Sequence, residues 1–212
     1  MTEIHEEIDK PGGSERRRES EERRRRILRA ARECFGEHGY AGSTVAAIAR
    51  RAGVSNGLLY QFFANKEQLL RIVLEQVIRD WVRAMVGRDD AQPSSASEAL
   101  AGMFRRSVEF CRSNPLLPAL LSRDRALQLQ RIQLASGDRV QPHRQLVASI
   151  LREGIASGEF RADLDVGSVA DIVCQLQSDY SGRAYRREPN FPDTPELIDS
   201  AVRFIHDAVR AR

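Results

Sequence analysis

Residues 44–70 read TVAAIARRAGVSNGLLYQFFANKEQLL, a sequence typical of two short helices around a tight turn. Thr44 and Ser55 have side chains that are preferred at a helix N-cap, so a helix is predicted to start after each of them. Between these helices, Gly53 tolerates the positive φ that a tight turn requires. The spacing predicts a helix-turn-helix, in which the second helix enters the major groove of DNA.

The start of the second helix is small and polar, which suits a helix that approaches DNA. Residues 55–57 are Ser-Asn-Gly, so little side-chain bulk covers the backbone there. Unpaired backbone N–H groups at this helix start, and at Thr44, can receive phosphates. The hydroxyl of Tyr60 and the ammonium of Lys66 are further phosphate donors. The segment is therefore predicted to bind DNA.

A helix is also predicted before this segment. Ile27, Ala31, Cys34 and Phe35 recur at helical spacing and form one apolar stripe. Gly39 suits the C-cap of that helix. The three helices up to residue 62 therefore form one predicted DNA-binding unit.

The rest of the chain also has helical periodicity. Asn65 is a candidate N-cap for a helix of residues 66–86, which ends at Gly87 and the polar stretch DDAQPSSAS. The sequence contains no alternating strand pattern. The fold class is therefore predicted to be all-α, with about nine helices. The remaining predicted helices cover residues 97–111, 119–135, 140–157, 167–185 and 195–211.

The first twenty residues differ in composition from the rest. They are polar and contain the helix-breaking cluster Pro-Gly-Gly-Ser, so residues 1–20 are predicted to be a disordered tail. Arginines at 16–18 and 23–26 have two interpretations, a solvated helix face or a basic arm that reaches adjacent DNA. Interleaved glutamates reduce the local charge and favour the first. Residues 21–66 are the predicted helix-turn-helix domain, and residues 67–212 a larger helical domain.

The composition is that of a globular protein with a mild positive charge. Of 212 residues, 42% are hydrophobic and 30% charged, and the net charge is +3. This charge permits a nucleic-acid partner without requiring one. The three cysteines are far apart, which argues against a disulfide framework or a zinc site. Without a signal peptide or a membrane-spanning stretch, the chain is predicted to be cytoplasmic.

Five blocks of sequence together resemble the DNA-binding domain of the tetracycline-repressor (TetR) family of bacterial transcriptional regulators. A weaker similarity to a family linker covers residues 152–165. The combination is specific, and the helical remainder of the chain also fits the family. The five blocks are FGEHGY at 35–40, STVAAIA at 43–49, AGVS at 52–55, GLLYQFF at 57–63 and KEQLL at 66–70.

The resemblance implies a set of DNA contacts and also three departures from the family pattern. The family often has Lys or Arg at position 56, Thr at 58 and His or Tyr at 61. Here Asn56 can instead pair bidentately with adenine, Leu58 lacks a hydroxyl, and Gln61 can still donate to a phosphate. The remaining implied contacts are Thr44, Ser55, Tyr60 and Lys66 to phosphates, and Gly57 beside Asn56 at base edges.

The resemblance further implies a homodimer that binds a pseudo-palindromic double-stranded operator. The helices of 167–186 and 195–211 would pair with their copies in a four-helix bundle. Residues 67–212 would hold a pocket for a small, largely apolar inducer, with no cofactor and no membrane partner. Inducer binding would shift the helix of 66–86 and release the DNA.

Several side chains in the larger domain are candidates to line that pocket. Apolar candidates have the alternative of being ordinary core residues. Polar candidates have the alternatives of facing solvent or the dimer partner. The candidates are Trp81, Met85, Phe104, Phe110, His143, Gln175 and Asp179, with Gln177 as a further polar group on the same helices.

No enzymatic motif is present, so the chain is predicted not to be an enzyme. It has no P-loop, no Gly-x-Ser-x-Gly, no His-Glu-x-x-His and no Gly-x-Gly-x-x-Gly, and its histidines do not cluster. An alternative to the inducible repressor is a regulator of the same fold with no small-molecule ligand, gated by a protein or acting as an activator. A helical enzyme or an interaction protein is a third, weaker alternative.

Overall fold

The computed structural model describes residues 11–87, 93–114, 116–117, 141–186 and 194–211. These residues form an all-α fold of eight named helices, and the only strand-like feature among them is a single β-bridge between Phe160 and Arg210. The helix predicted over 119–135 lies outside the described residues. The helices are α1 (Pro11–Gly42), α2 (Val45–Ala52), α3 (Asn56–Phe62), α4 (Lys66–Val86), α5 (Ala96–Ser113), α6 (Gln141–Ala156), α7 (Val166–Arg186) and α8 (Pro195–Val209).

The chain divides into two compact units, Met1–Val73 and Leu74–Arg212. The division falls inside α4, seven residues after the predicted domain boundary at residue 66. That boundary coincides instead with the start of α4, where Asn65 Oδ1 accepts from the backbone N–H of Gln68 at 2.8 Å. An N-cap marks where a helix begins, and a helix may start in one unit and continue into the next.

Helix α1 begins at Pro11, ten residues before the predicted start of folded structure. Residues 11–20 are therefore helical, in contrast to the predicted disordered tail, and residues 1–10 lie outside the described part. Charge spacing explains the difference, because Glu19 pairs with Arg23 at 2.9 Å and Glu21 with Arg25 at 3.8 Å, each one helical turn apart. The breaker cluster lies at the first turn of the helix, where proline is tolerated.

The core of the first unit is built on the apolar stripe of α1. Ile27, Ala31, Cys34 and Phe35 are all buried, as their spacing predicts. The straight part of α1 stops at Gly39, whose φ of 68° is accessible to glycine at little cost. This bend turns the chain towards α2.

The second unit is held together by the connection between α6 and α7. The Glu159 carboxylate accepts the backbone N–H groups of Ala96 at 2.9 Å and Ser97 at 3.0 Å, and so caps α5 from a distant part of the chain. These bonds lower the pKa of Glu159. The neighbouring Phe160 ring is buried over Gly154, where an added Cβ would lie 2.1 Å from it. The TetR-like linker therefore has a structural role within this unit.

Candidate nucleic-acid interface and ligand region

The turn between α2 and α3 has the geometry that its sequence predicts. Gly53 is left-handed, with φ 66° and ψ 39°. Its N–H donates to the carbonyl of Arg50 at 3.2 Å, and the N–H of Val54 donates to that of Ala49 at 3.0 Å. This pair of bonds is a Schellman motif, which ends α2 and starts the turn.

Both helices of the pair carry the predicted N-caps. Thr44 Oγ1 accepts from the N–H of Ala47 at 3.1 Å, and Ser55 Oγ accepts from the N–H of Leu58 at 3.1 Å. Each cap satisfies one of the N–H groups that a helix start leaves without an intrahelical acceptor. The first N–H groups of α2 and α3 have no intrahelical acceptor, so an anion can accept hydrogen bonds from them.

Helix α3 divides into a buried side and an exposed polar side. Leu59 is fully buried and anchors the helix to its unit. Asn56, Gly57 and Gln61 are exposed, and Tyr60 is 52% exposed. Their spacing of one and four residues puts these four on adjoining positions of one helix surface. The structure therefore brings four of the predicted DNA contacts together on α3.

Lys66 has a partner within the protein that the sequence did not predict. Its Nζ donates to the carbonyl oxygens of Tyr40 at 2.9 Å and Ser43 at 3.0 Å. It also lies 4.2 Å from the ring centroid of Tyr40, a cation–π contact. Two of its three N–H groups are therefore used to fasten the start of α4 to the connection between α1 and α2. The phosphate contact predicted for Lys66 would use its third N–H.

Arg51 and Glu37 brace α2 against α1, a pair that local sequence patterns do not reveal. The guanidinium of Arg51 lies 2.8 Å from Glu37 and 3.9 Å from Glu33. The bond to Arg51 lowers the pKa of Glu37. The two residues are 14 positions apart, so no helical periodicity relates them. The pair links α2 to α1 at the surface of the first unit.

In the second unit, three pocket candidates meet in one buried cluster. The indole Nε1 of Trp81 donates to Ser107 Oγ at 2.9 Å, and its ring lies 4.6 Å from that of His143, centroid to centroid. His143 Nε2 bonds to Gln177 Oε1, and Gln177 Nε2 lies 3.7 Å from Met85 Sδ. We call these five side chains, Trp81, Met85, Ser107, His143 and Gln177, the buried polar cluster.

The buried polar cluster is satisfied internally. All five side chains are at most 4% exposed, and their polar atoms bond to one another. Burial lowers the pKa of His143, so the imidazole is neutral at pH 7. Since Gln177 Oε1 can only accept, the His143 proton is assigned to Nε2. Of this cluster, the sequence analysis named every residue except Ser107, whose contact with Trp81 carries no sequence signal.

The other pocket candidates are dispersed. Phe104 is buried and packs edge-on against Tyr180 at 5.7 Å between ring centroids. Phe110 and Asp179 are half-buried, and Gln175 is exposed. These four candidates therefore do not join the buried polar cluster.

The described residues lack both a metal-binding cluster and a membrane-spanning helix. They contain no group of three or more His, Cys, Asp or Glu side chains that could hold a metal ion. None of the described helices is long and apolar enough to cross a membrane. The three cysteines are free thiols, and burial raises the pKa of Cys111 to about 11 and of Cys174 to about 12.

Comparison with known proteins places this geometry among regulators. Residues 27–73 match the profile of the family described as bacterial regulatory proteins, tetR family. The HTH-type transcriptional repressor KstR2 of Mycolicibacterium smegmatis is 33% identical over 152 residues, 69% of this chain and 72% of the relative. The fatty acid metabolism regulator protein of Bacillus subtilis is 26% identical over 147 residues, 69% of this chain and 75% of the relative.

Solved structures have the same fold. FadR from Bacillus subtilis, determined in complex with stearoyl-CoA, superposes with a TM-score of 0.68 at 23% identity, over 85% of this chain and 96% of that one. The ketosteroid transcriptional regulator KstR2 of Mycobacterium tuberculosis superposes with a TM-score of 0.62 at 25% identity, over 89% of this chain and 96% of that one.

Proposed function

Since the chain belongs to the tetR family of bacterial regulatory proteins and is a DNA-binding transcriptional repressor rather than an enzyme, we propose that a small apolar inducer releases it from a pseudo-palindromic operator. The observation that carries the DNA-binding half of this proposal is the exposed polar surface of α3 after a capped, glycine-hinged turn. A surface of this kind has no role in the packing of its own unit.

The contacts to DNA follow from where each group lies. Asn56 is exposed at the first position of α3 and can pair with an adenine edge in the major groove. Tyr60 and Gln61 lie one turn further and can donate to a phosphate of the groove wall. The backbone N–H groups that follow Thr44 and Ser55 donate to further phosphates. Lys66 contributes its third N–H.

The inducer is proposed to bind beside the buried polar cluster. Helices α4, α5, α6 and α7 each contribute to that cluster, so a ligand that enters there must displace at least one of them. Helix α4 carries Trp81 and Met85 near one end and Lys66 at the other. A displacement of its second half therefore changes the hydrogen bonds of Lys66, because α4 is one continuous helix. Relatives named for fatty acid and ketosteroid regulation support an apolar ligand.

A homodimer is proposed on the basis of exposed apolar side chains on α7 and α8. Ile172 is 57% exposed and Phe204 is 66% exposed. Large apolar side chains that are exposed on two helices of one unit are typical of an interaction surface. A second copy that pairs through these helices buries both. Sedimentation of the native chain against Ile172→Glu and Phe204→Glu variants tests this, and a monomeric native chain would contradict it.

The experiment that tests DNA recognition is selection from a random pool. The purified chain is incubated with 30-base-pair duplexes of random central sequence, and bound DNA is amplified and sequenced over several rounds. We expect a two-fold symmetric consensus, bound at least tens of times more tightly than the starting pool. Asn56→Ala should relax the preference at one base position by about 1–3 kcal/mol. A final pool without consensus would contradict sequence-specific repression.

The inducer is tested on the selected duplex. Stearoyl-CoA is titrated into the complex while fluorescence anisotropy reports bound DNA, with free coenzyme A as the control. Release by stearoyl-CoA alone supports an acyl ligand. Release by a C27 ketosteroid instead would retain the inducer mechanism and change the ligand class. Retention of DNA under both would favour the alternative in which a protein partner gates the same fold.

A further inference from the structure

The N-terminal part of α1 extends beyond the core of the first unit and carries a dense set of arginines. From Ser14 onward its first buried residue is Ile27, so the residues from Ser14 to Arg26 project as helix from the packed body. At 1.5 Å per residue, Arg16 lies about 16 Å along the axis from Ile27. Residues 14–26 are exposed or half-buried throughout. This extension contributes nothing to the apolar core.

Charges in the extension are separated by helix face. Residues seven or eleven positions apart lie on the same side of an α-helix. Arg24 and Arg17 lie seven and fourteen positions before the buried Ala31. Arg16 lies eleven positions before the buried Ile27. The side of α1 that carries apolar residues within the first unit therefore carries arginines in the extension. We call Arg16, Arg17 and Arg24 the arginine stripe.

Three of the four glutamates of the extension lie beside arginines outside the proposed stripe. Glu19 pairs with Arg23 at 2.9 Å, and Glu21 and Glu22 lie 3.8 and 4.0 Å from Arg25. Within the described part of the chain, no carboxylate pairs with Arg16, Arg17 or Arg24. The interleaved acidic residues that weaken the basic run in the linear sequence therefore do not neutralise the arginine stripe.

The arginine stripe lies on the side of α1 that packs against the DNA-binding pair. The guanidinium of Arg24 lies 5.7 Å from the ring centroid of Phe63, the residue that directly follows α3. Phe63 is buried, and Tyr60 and Gln61 precede it on the exposed side of α3. Arg24 therefore connects the stripe to the end of α3 at which the phosphate contacts are proposed.

We propose that the arginine stripe is a second DNA-binding surface, which contacts phosphates flanking the operator on the same face as α3. Three guanidinium groups on one rigid helix can each bind a phosphate oxygen and release a condensed counterion. Because these contacts touch no base, they strengthen binding to every sequence. The proposal rests on the DNA-binding function above, and it extends the DNA contact beyond the helix-turn-helix.

The test compares two triple variants that remove the same charge from opposite faces. One is Arg16→Ala, Arg17→Ala, Arg24→Ala; the control is Arg18→Ala, Arg25→Ala, Arg29→Ala. Alanine is the best helix former, so α1 should persist in both, and far-ultraviolet circular dichroism checks this. Binding is measured by anisotropy on a labelled 40-base-pair random-sequence duplex between 50 and 300 mM NaCl. Because the duplex has a random sequence, this test does not require that an operator has been identified.

The expected result is a difference in salt dependence. Each lost phosphate contact removes about 0.9 from the slope of log K against log salt, so the stripe variant should lose about 3 per bound protomer. At 0.1 M salt its affinity should fall on the order of a hundredfold, against about threefold for the control. A third variant, Arg16→Lys, Arg17→Lys, Arg24→Lys, should recover most of the slope, since lysine retains the charge.

Two outcomes would overturn the proposal. Equal losses in the stripe and control variants would show that only net charge matters. An unchanged slope in the stripe variant would show that the extension does not contact DNA. Neither outcome would affect sequence-specific recognition by α3, which the selection experiment tests separately.

Discussion

The two units of this chain use polar side chains in opposite ways. In Met1–Val73 the side chains predicted to contact DNA are exposed on α3, and the backbone beneath them is shaped by local caps and one glycine turn. In Leu74–Arg212 the polar groups of the buried polar cluster face one another and are sealed from solvent. An exposed polar group is solvated until a partner binds. A buried polar group must be hydrogen-bonded within the protein, because an unpaired buried polar atom costs about 1–3 kcal/mol. The units should therefore respond differently to substitution.

The largest effect is expected in the second unit, at Phe160. Phe160→Ala should lower its free energy of unfolding by about 3–5 kcal/mol, because it leaves a cavity over Gly154. Gly154→Ala should cost about 1–3 kcal/mol, because the new Cβ meets the Phe160 ring. The double variant should lose less than the sum, because the missing ring makes room for the Cβ. Urea unfolding followed by fluorescence of Trp81, the single tryptophan, measures this; strict additivity would contradict the contact.

A smaller effect on stability is expected in the first unit at Lys66. This residue departs from the contrast between the units, because it bonds within the protein and is also a proposed DNA contact. Lys66→Met should destabilise this unit by about 1–3 kcal/mol, because the carbonyls of Tyr40 and Ser43 lose their donor. Hydrogen exchange of residues 40–63 should accelerate, and DNA affinity should fall with it. Lys66→Arg keeps the charge and is the control. Normal exchange with weakened DNA binding would instead make Lys66 a phosphate ligand alone.

The buried polar cluster should make the second unit sensitive to acid. The pKa of His143 is lowered in the folded chain, so the unfolded chain binds its proton more readily, and stability falls as pH drops below about 6.5. The contribution is at most about 1.4 kcal/mol per pH unit for one proton. His143→Gln should flatten the stability of the second unit between pH 7.5 and 5.5, measured by Trp81 fluorescence. His206→Gln is a control at an exposed ring, and an equal flattening there would argue against the buried site.

The smallest effect on folding is expected on the exposed side of α3. Tyr60→Phe should change stability by less than about 0.5 kcal/mol, since the side chain is half-exposed. Loss of one hydroxyl-to-phosphate bond should still weaken DNA binding about tenfold per protomer. Thermal unfolding and anisotropy on the same preparation separate the two. A large loss of stability would mean that the hydroxyl serves the fold.

The first unit was largely predictable because its signals are local. N-caps at Thr44 and Ser55, the turn at Gly53 and the apolar stripe of α1 each act over one or two helical turns. The hydrogen bonds of a cap or turn residue join groups only a few positions apart, so a short stretch of sequence contains both partners. The helical start at Pro11 escaped prediction because a breaker cluster and polar composition outweighed ion pairs that form only once a helix exists.

By itself, the sequence determined the all-α class, the helix-turn-helix with the exposed polar surface of α3, and the family. Only the tertiary structure decided that Lys66 fastens α4 to the chain before α2, that Glu159 caps α5, and that Trp81 and His143 share a sealed cluster with Gln177. These contacts join residues 23 to 63 positions apart. Loop closure brings such residues together only after the whole unit packs, so no local pattern records them.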